Sequence, residues 1–299
     1  MKVFIKWVSL VFIIGILGTL VSLQVTGAFS QEIVDVFEEK KVKGSSIKYL
    51  SVDTSSADID IVQSQDDTIY VQWGGKASKG VWEDYELNTT KKGDELSVKL
   101  RQKDILGFQF GFIQKDLKLT VRLPKKLYEG LTLSSSSGDI RVNDQHSNTV
   151  SIKTSSGDME LAKIKISEEI NTRSSSGTIR LKEVYANRFL TDTSSGDVVG
   201  ETMEVAQIIG DSSSGTIDFS ELMLTGDLEI KTSSGDVYLQ FAQVPDSFII
   251  DYESSSGDER VNLDGIDYER KAEHEVKGQK GSGDQRIEIR TSSGDFRAQ

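Results

Sequence analysis

The sequence predicts an all-β protein: a parallel β-solenoid (β-helix) of 19–20-residue coils with irregular caps, preceded by one N-terminal transmembrane helix. Three observations carry this. The first is a returning phrase, Ser-Ser-Gly-Asp or Ser-Ser-Gly-Thr, whose glycines are Gly138, Gly157, Gly177, Gly196, Gly215, Gly235, Gly257 and Gly294. From Gly138 to Gly257 they stand 19, 20, 19, 19, 20 and 22 residues apart, the fixed period of a stacked, quasi-one-dimensional architecture. The second is alternation of apolar residues on both sides of each glycine. Leu131/Leu133 and Val150/Ile152 precede it, and Ile140/Val142 and Met159/Leu161 follow it, so each repeat reads strand, bend, strand with one face inward. The third is the uncharged run at 8–25, close to the roughly 20 residues needed to cross a bilayer.

Each position around the bend has a physical reading. The glycine supplies tolerance of positive φ or of close packing. Three residues before it, on the inward side, stands a hydroxyl in every copy, from Ser135 and Thr154 to Ser254 and Thr291. Stacked coils align these hydroxyls so that each bonds backbone or a neighbour. A weaker copy, Ser55-Ser56-Ala57-Asp58, opens the array with Leu50 and Val52 before it and Ile59 and Ile61 after. The aspartates after the glycines stack as like charges, and Thr178 and Thr216 relieve part of that repulsion.

In chain order, residues 1–30 read as a membrane anchor or uncleaved signal. Lys2 and Lys6 precede the apolar run, which orients the N-terminus to the cytoplasm and the body outside, at the cell membrane. Thr26-Gly27-Ala28 leaves a cleavable signal peptide as the competing reading. Residues 31–130 form a juxtamembrane spacer and an N-terminal β cap with the first coil. Within them 31–45 is charged and reads as irregular, and Lys91-Lys92-Gly93-Asp94 is a hairpin signal. In the same stretch Phe108, Phe110 and Phe112 alternate, either as a lip for a partner or lipid or as a lid over the first coil. Residues 131–263 are the regular solenoid. Its connections, such as 143–148, 163–169, 182–188 and 201–206, are polar and differ from coil to coil, which is where recognition would reside. Residues 264–299 read as a C-terminal hairpin and cap ending the stack.

Chemistry is sparse. There is no cysteine, which removes disulfides, thiolate metal sites and cysteine nucleophiles, and the net charge of −12 without a basic stripe argues against nucleic acid. The two histidines, His146 and His274, have no second histidine at metal spacing and no nucleophile motif beside them. No cofactor is expected. Asp139, Asp158, Asp236 and Asp258 are candidates for weak calcium binding. They also carry the alternative function, a β-helical carbohydrate-active enzyme in which Asp139 with Asp158, or Asp236 with Asp258, act from adjacent coils. Against it, they occupy the generic repeat position, whereas a site usually breaks a repeat.

The N-terminal anchor, the stretch Tyr49-Leu50-Ser51-Val52-Asp53-Thr54 leading into Ser55-Ser56-Ala57-Asp58, the stretch Leu123-Pro124-Lys125-Lys126-Leu127, and the Ser-Ser-Gly-Asp array together resemble the bacterial "putative adhesin" β-strand-repeat family. The type most similar is the LiaG-like, membrane-anchored protein of the cell-envelope stress cluster in Bacillus-related, Gram-positive bacteria. The resemblance covers nearly all of 45–299. It implies a non-enzymatic extracytoplasmic solenoid, either an adhesin-like binding module or a stress-response accessory. The membrane, an envelope membrane protein or a cell-surface ligand would be its partners.

Overall fold

The computed structural model describes residues 33–78, 85–103 and 115–299, and these are all β apart from one 3-10 turn at Gly44–Ser46. The expected anchor at 1–30 and Phe108, Phe110 and Phe112 lie outside the described residues. Among the described residues no helix is long and apolar enough to cross a membrane.

The N-terminal third contributes β1 (Ile33–Lys43), β2 (Tyr49–Thr54), β3 (Asp58–Gln63), β4 (Thr68–Ser78), β5 (Tyr85–Lys92), β6 (Glu95–Gln102) and β7 (Lys115–Leu123). The middle contributes β8 (Leu127–Ser134), β9 (Ile140–Asn143), β10 (His146–Lys153), β11 (Met159–Ser174), β12 (Ile179–Thr193), β13 (Val198–Ser212), β14 (Ile217–Leu224), β15 (Leu228–Thr232) and β16 (Val237–Phe241). The chain closes with β17 (Phe248–Glu253), β18 (Glu259–Val261), β19 (Asp267–Ala272), β20 (Glu275–Lys280), β21 (Gln285–Arg290) and β22 (Phe296–Ala298). All belong to one continuous hydrogen-bonded sheet.

In the middle the coils stack in chain order and in parallel register: Met159 sits beside Ile179, Ile179 beside Val198, and Val198 beside Ile217. One ladder runs before the Ser-Ser-Gly bend and a second after it. The long strands β11, β12 and β13 then turn a second corner and continue as a third ladder. That corner is made by Asp144, Lys163, Glu183, Thr202 and Glu221, each six residues past its bend and each left-handed, with φ of 53°, 55°, 54°, 58° and 51°. None is glycine, so no compositional signal marks this corner in the sequence.

The alternation read from the sequence packs as expected. Ile59, Ile140, Met159, Ile179, Ile217 and Phe296 are fully buried on one ladder, and Ile170, Phe189, Ile208 and Ile287 on the facing one. Each contributes about 1.5–3 kcal/mol relative to exposure. Volumes compensate between coils. Phe189 and Phe219 meet edge-on at 6.3 Å, and Gly200 leaves the space that Phe219 and Met203 fill. Two inward threonines satisfy each other, Thr172 Oγ1 donating to Thr191 Oγ1 at 3.0 Å.

At both ends, stacking order departs from chain order. β2 pairs with β6 and β8, and β3 with β7 and β9, so the coil built from β6 and β7 lies outside the first coil in the chain. At the other end β21 and β22 insert between β15–β16 and β17–β18. The closing Ser-Ser-Gly-Asp copy therefore does not end the stack; Gly257 packs outside Gly294. From residue 33 onward the 31–45 stretch is also not irregular. β1 pairs antiparallel with β4 along eleven positions, and its Val36 and Val42 pack on the core. The hairpin signal at Gly93 joins β5 to β6, and a second hairpin, β19–β20, lies antiparallel on β17.

Candidate functional site

Two edges of the solenoid compete for a functional reading: the Ser-Ser-Gly bend and the third ladder. The bend is built from repeated hydrogen bonds. The hydroxyl three residues back accepts from the glycine N–H, as in Gly138 to Ser135 Oγ (2.9 Å), Gly157 to Thr154 Oγ1 (3.1 Å) and Gly294 to Thr291 Oγ1 (2.9 Å). Glycine is required here by close approach. None of the eight bend glycines is left-handed, but a Cβ at Gly157 would lie 2.1 Å from the carbonyl oxygen of Gly138, and one at Gly177 1.8 Å from that of Gly157. Ala57 takes the place of glycine at the start of the column, buried, and a Cβ on Gly138 would lie 2.2 Å from its carbonyl oxygen.

The aspartates are part of the same frame. Asp139 Oδ1 accepts from the N–H of Asp158 (3.0 Å) and its Oδ2 from Arg141 (2.7 Å). Asp158 Oδ1 accepts from the N–H of Thr178 (2.8 Å) and its Oδ2 from Arg180 (3.0 Å). Burial opposes the charge of Asp158, but the Thr178 N–H and the Arg180 guanidinium outweigh it and hold the carboxyl below its ordinary value. Asp236 receives the N–H of Asp295 (2.8 Å) and the hydroxyl of Tyr238 (2.8 Å). Asp236 and Asp258 are not neighbours, because Asp295 lies between them, bonded to the N–H of Asp258 at 3.1 Å. Like-charge repulsion along the column is thus offset by backbone donors and by arginines as well as by Thr178 and Thr216. Among the described residues no group of three or more His, Asp or Glu side chains is gathered as a metal ligand set. No Ser or Thr hydroxyl among them bonds a histidine nitrogen; His274 Nδ1 faces the carbonyl of Gly257 at 2.7 Å.

The third ladder is different in kind. The connections 143–148, 163–169, 182–188 and 201–206 form its strands. Strand register places Leu127, His146, Lys165, Tyr185, Glu204 and Met223 in one outward column, one residue per coil. At about 4.8 Å per step the column is roughly 24 Å long. A shallow groove of about 410 Å³ follows it, floored by Ile166, Ala186 and Val205 and edged by Asn187, Ala206 and Thr225. Leu127 is 59% and Tyr185 41% exposed, and Lys165 Nζ lies 5.4 Å from the centre of the Tyr185 ring. Beside the groove, where the third ladder turns toward the next bend and the register shifts, lies a polar row: Ser167 donates to Asn148, Asn148 to Glu129, and Arg188 to both Glu169 and Gln207. An imidazole, an ammonium, a phenol ring and a carboxylate are thereby presented in line on a rigid floor. That arrangement can hold an elongated amphipathic ligand by ring stacking and hydrogen bonds. Sequence reasoning pointed to these connections as polar and variable but did not identify them as strands. Their strand character was hidden because their second corner carries no glycine.

Among curated proteins none matches the chain. Solved structures share the architecture. A Parabacteroides distasonis structure described as a putative lipid binding protein is 17% identical, over 88% of this chain and 96% of that one, with a TM-score of 0.54. A Bacteroides fragilis structure described as a putative adhesin is 13% identical, over 88% and 97%, with a TM-score of 0.51. At these identities the likeness is one of fold. The sequence itself matches the Toastrack DUF4097 family over residues 47–298, which spans β2 to β22. The chain belongs to the Toastrack DUF4097 family.

Proposed function

We propose that this protein is a non-enzymatic, membrane-anchored binding protein of the cell envelope, with its solenoid outside the cell and its ligand in the groove of the third ladder. The observation that carries the reading is the contrast between columns. Around the bend the same residues recur in coil after coil, while the column from Leu127 to Met223 changes chemistry at every step. In a stacked repeat, a constant position serves the stack and a variable exposed one is free to serve a ligand. The aspartates fit the constant class, since the oxygens of Asp139, Asp158 and Asp236 already accept backbone and side-chain donors.

Anchoring is assigned to residues 1–30, with the N-terminus cytoplasmic, and the absence of cysteine fits an exported protein of a Gram-positive, LiaG-like type. The partner is an envelope membrane protein or a cell-surface ligand. The net charge of −12 disfavours anionic wall polymers unless calcium bridges them. Capture on the full-length tethered chain from native membranes, with and without calcium and read by mass spectrometry, tests this. One membrane protein recovered in both conditions supports an accessory role. Wall glycan retained only with calcium supports the adhesin role. Glycan turnover by the purified chain, lost in Asp139→Asn, would contradict the non-enzymatic reading.

A further inference from the structure

We infer that the outward face of β1, at the N-terminal end of the stack, is a bilayer-docking surface. The inference rests on the anchor reading above. On that face Ile33 is 49% and Phe37 67% exposed, the latter the most exposed large apolar side chain among the described residues. The strand carrying them is held firmly. Trp73 Nε1 donates to Glu38 at 3.1 Å, Lys40 reaches the carbonyl of Leu87, and Val36 and Val42 pack on the core. Nothing across the strand covers Phe37, because its partner in register is Gly74. A Cβ there would lie 2.3 Å from the carbonyl of Val36. The exposed rings and methyls are therefore fixed by the backbone of the sheet itself.

What covers this face follows from the chain before it. The apolar run ends at Val25 and β1 begins at Ile33. The seven residues between them reach at most about 25 Å when extended. A solenoid tethered that closely meets the bilayer first with β1, the outermost strand of its ladder. On the same face Asp35 stands in register with Lys76 and Glu39 pairs with Lys41 at 3.1 Å, so both acids are matched; with Lys43, lysines flank an exposed Phe and Ile, as at a membrane interface where apolar rings sit at headgroup level and lysines stay wet. Docking is shallow, because the free edge of β1 needs water to satisfy its backbone. The β19–β20 hairpin lies at the opposite end of the stack, on the order of 50 Å of ladder from β1.

The absence of cysteine makes the test clean. Full-length chain is reconstituted in phosphatidylcholine–phosphatidylglycerol vesicles with an environment-sensitive fluorophore at Asp35→Cys, between the two apolar residues, or at Lys271→Cys on the far hairpin. Brominated lipid should quench the label at position 35 several-fold more than that at 271. Adding Ile33→Ser and Phe37→Ser should abolish the difference while the circular dichroism stays unchanged. Equal quenching at both positions on a chain that floats with the vesicles would overturn the inference and leave the anchor intact. A blue-shifted, unquenched label that responds to the protein-to-lipid ratio would identify a second copy as the occupant and also overturn it. A chain that does not float would overturn the anchor reading and this inference together.

Discussion

The two edges of each coil are made by different means. At the Ser-Ser-Gly bend a backbone carbonyl presses where a side chain would be, so glycine recurs and its flanking hydroxyl and carboxylate are fully employed. At the second corner the chain turns through left-handed residues that point outward, and Asp144, Lys163, Glu183, Thr202 and Glu221 all serve. The first edge constrains sequence because neighbouring coils touch there. The second constrains only backbone angle, which leaves the following column free to vary. Repetition in this molecule marks packing, and its absence marks the surface open to recognition.

Breaking the frame should have the largest effects. Truncation after residue 284 removes β21 and β22, which separate β15–β16 from β17–β18, so β17 and β18 lose their parallel partners while β15 and β16 keep theirs on the side of β13 and β14. Hydrogen exchange should show loss of protection across 248–261 as well as at the new terminus. Were the stack in chain order, protection at 248–261 would persist. Gly177→Ala should cost about 3 kcal/mol or more in denaturant unfolding, since its Cβ would meet a backbone oxygen at 1.8 Å. Gly93→Ala, left-handed at φ 63° but with open space around it, should cost only about 1 kcal/mol.

Changes at the second corner should be milder and of opposite sign. Thr202 is β-branched at φ 58°, a conformation that asparagine tolerates better, so Thr202→Asn should raise the free energy of unfolding by about 0.5–1 kcal/mol. The smallest effect is expected at Asp158. Its folded pKa lies below the unfolded value, so its stabilisation is present above the ordinary carboxylate range and is lost as pH falls through the folded value. Being about half exposed, it should contribute well under 1 kcal/mol. Asp158→Asn should lower stability by that small amount at neutral pH, and the difference from the natural chain should vanish as pH falls below about 4.

The contrast also explains what could be read in the sequence. Period and alternation revealed the strands around Gly138 to Gly235, because those residues pack against copies of themselves. The hydroxyl at Ser135 and its counterparts was legible for the same reason. Coil order at the ends was not, since the bends at Gly257 and Gly294 are chemically interchangeable and either can stack on Gly235. β1 was hidden by its charges: Glu38, Glu39, Lys40 and Lys41 look like a spacer, yet their pairing with β4 is through backbone. The groove was visible as variability and invisible as structure.

The most direct test of the division between frame and groove is binding by two variants of equal stability. With the ligand recovered by capture on the full chain, Tyr185→Ala with Glu204→Ala should lower affinity at least tenfold, and Ser155→Ala with Ser156→Ala on the bend should leave it within twofold. Loss of binding in the bend variant with the groove variant unaffected would contradict the account.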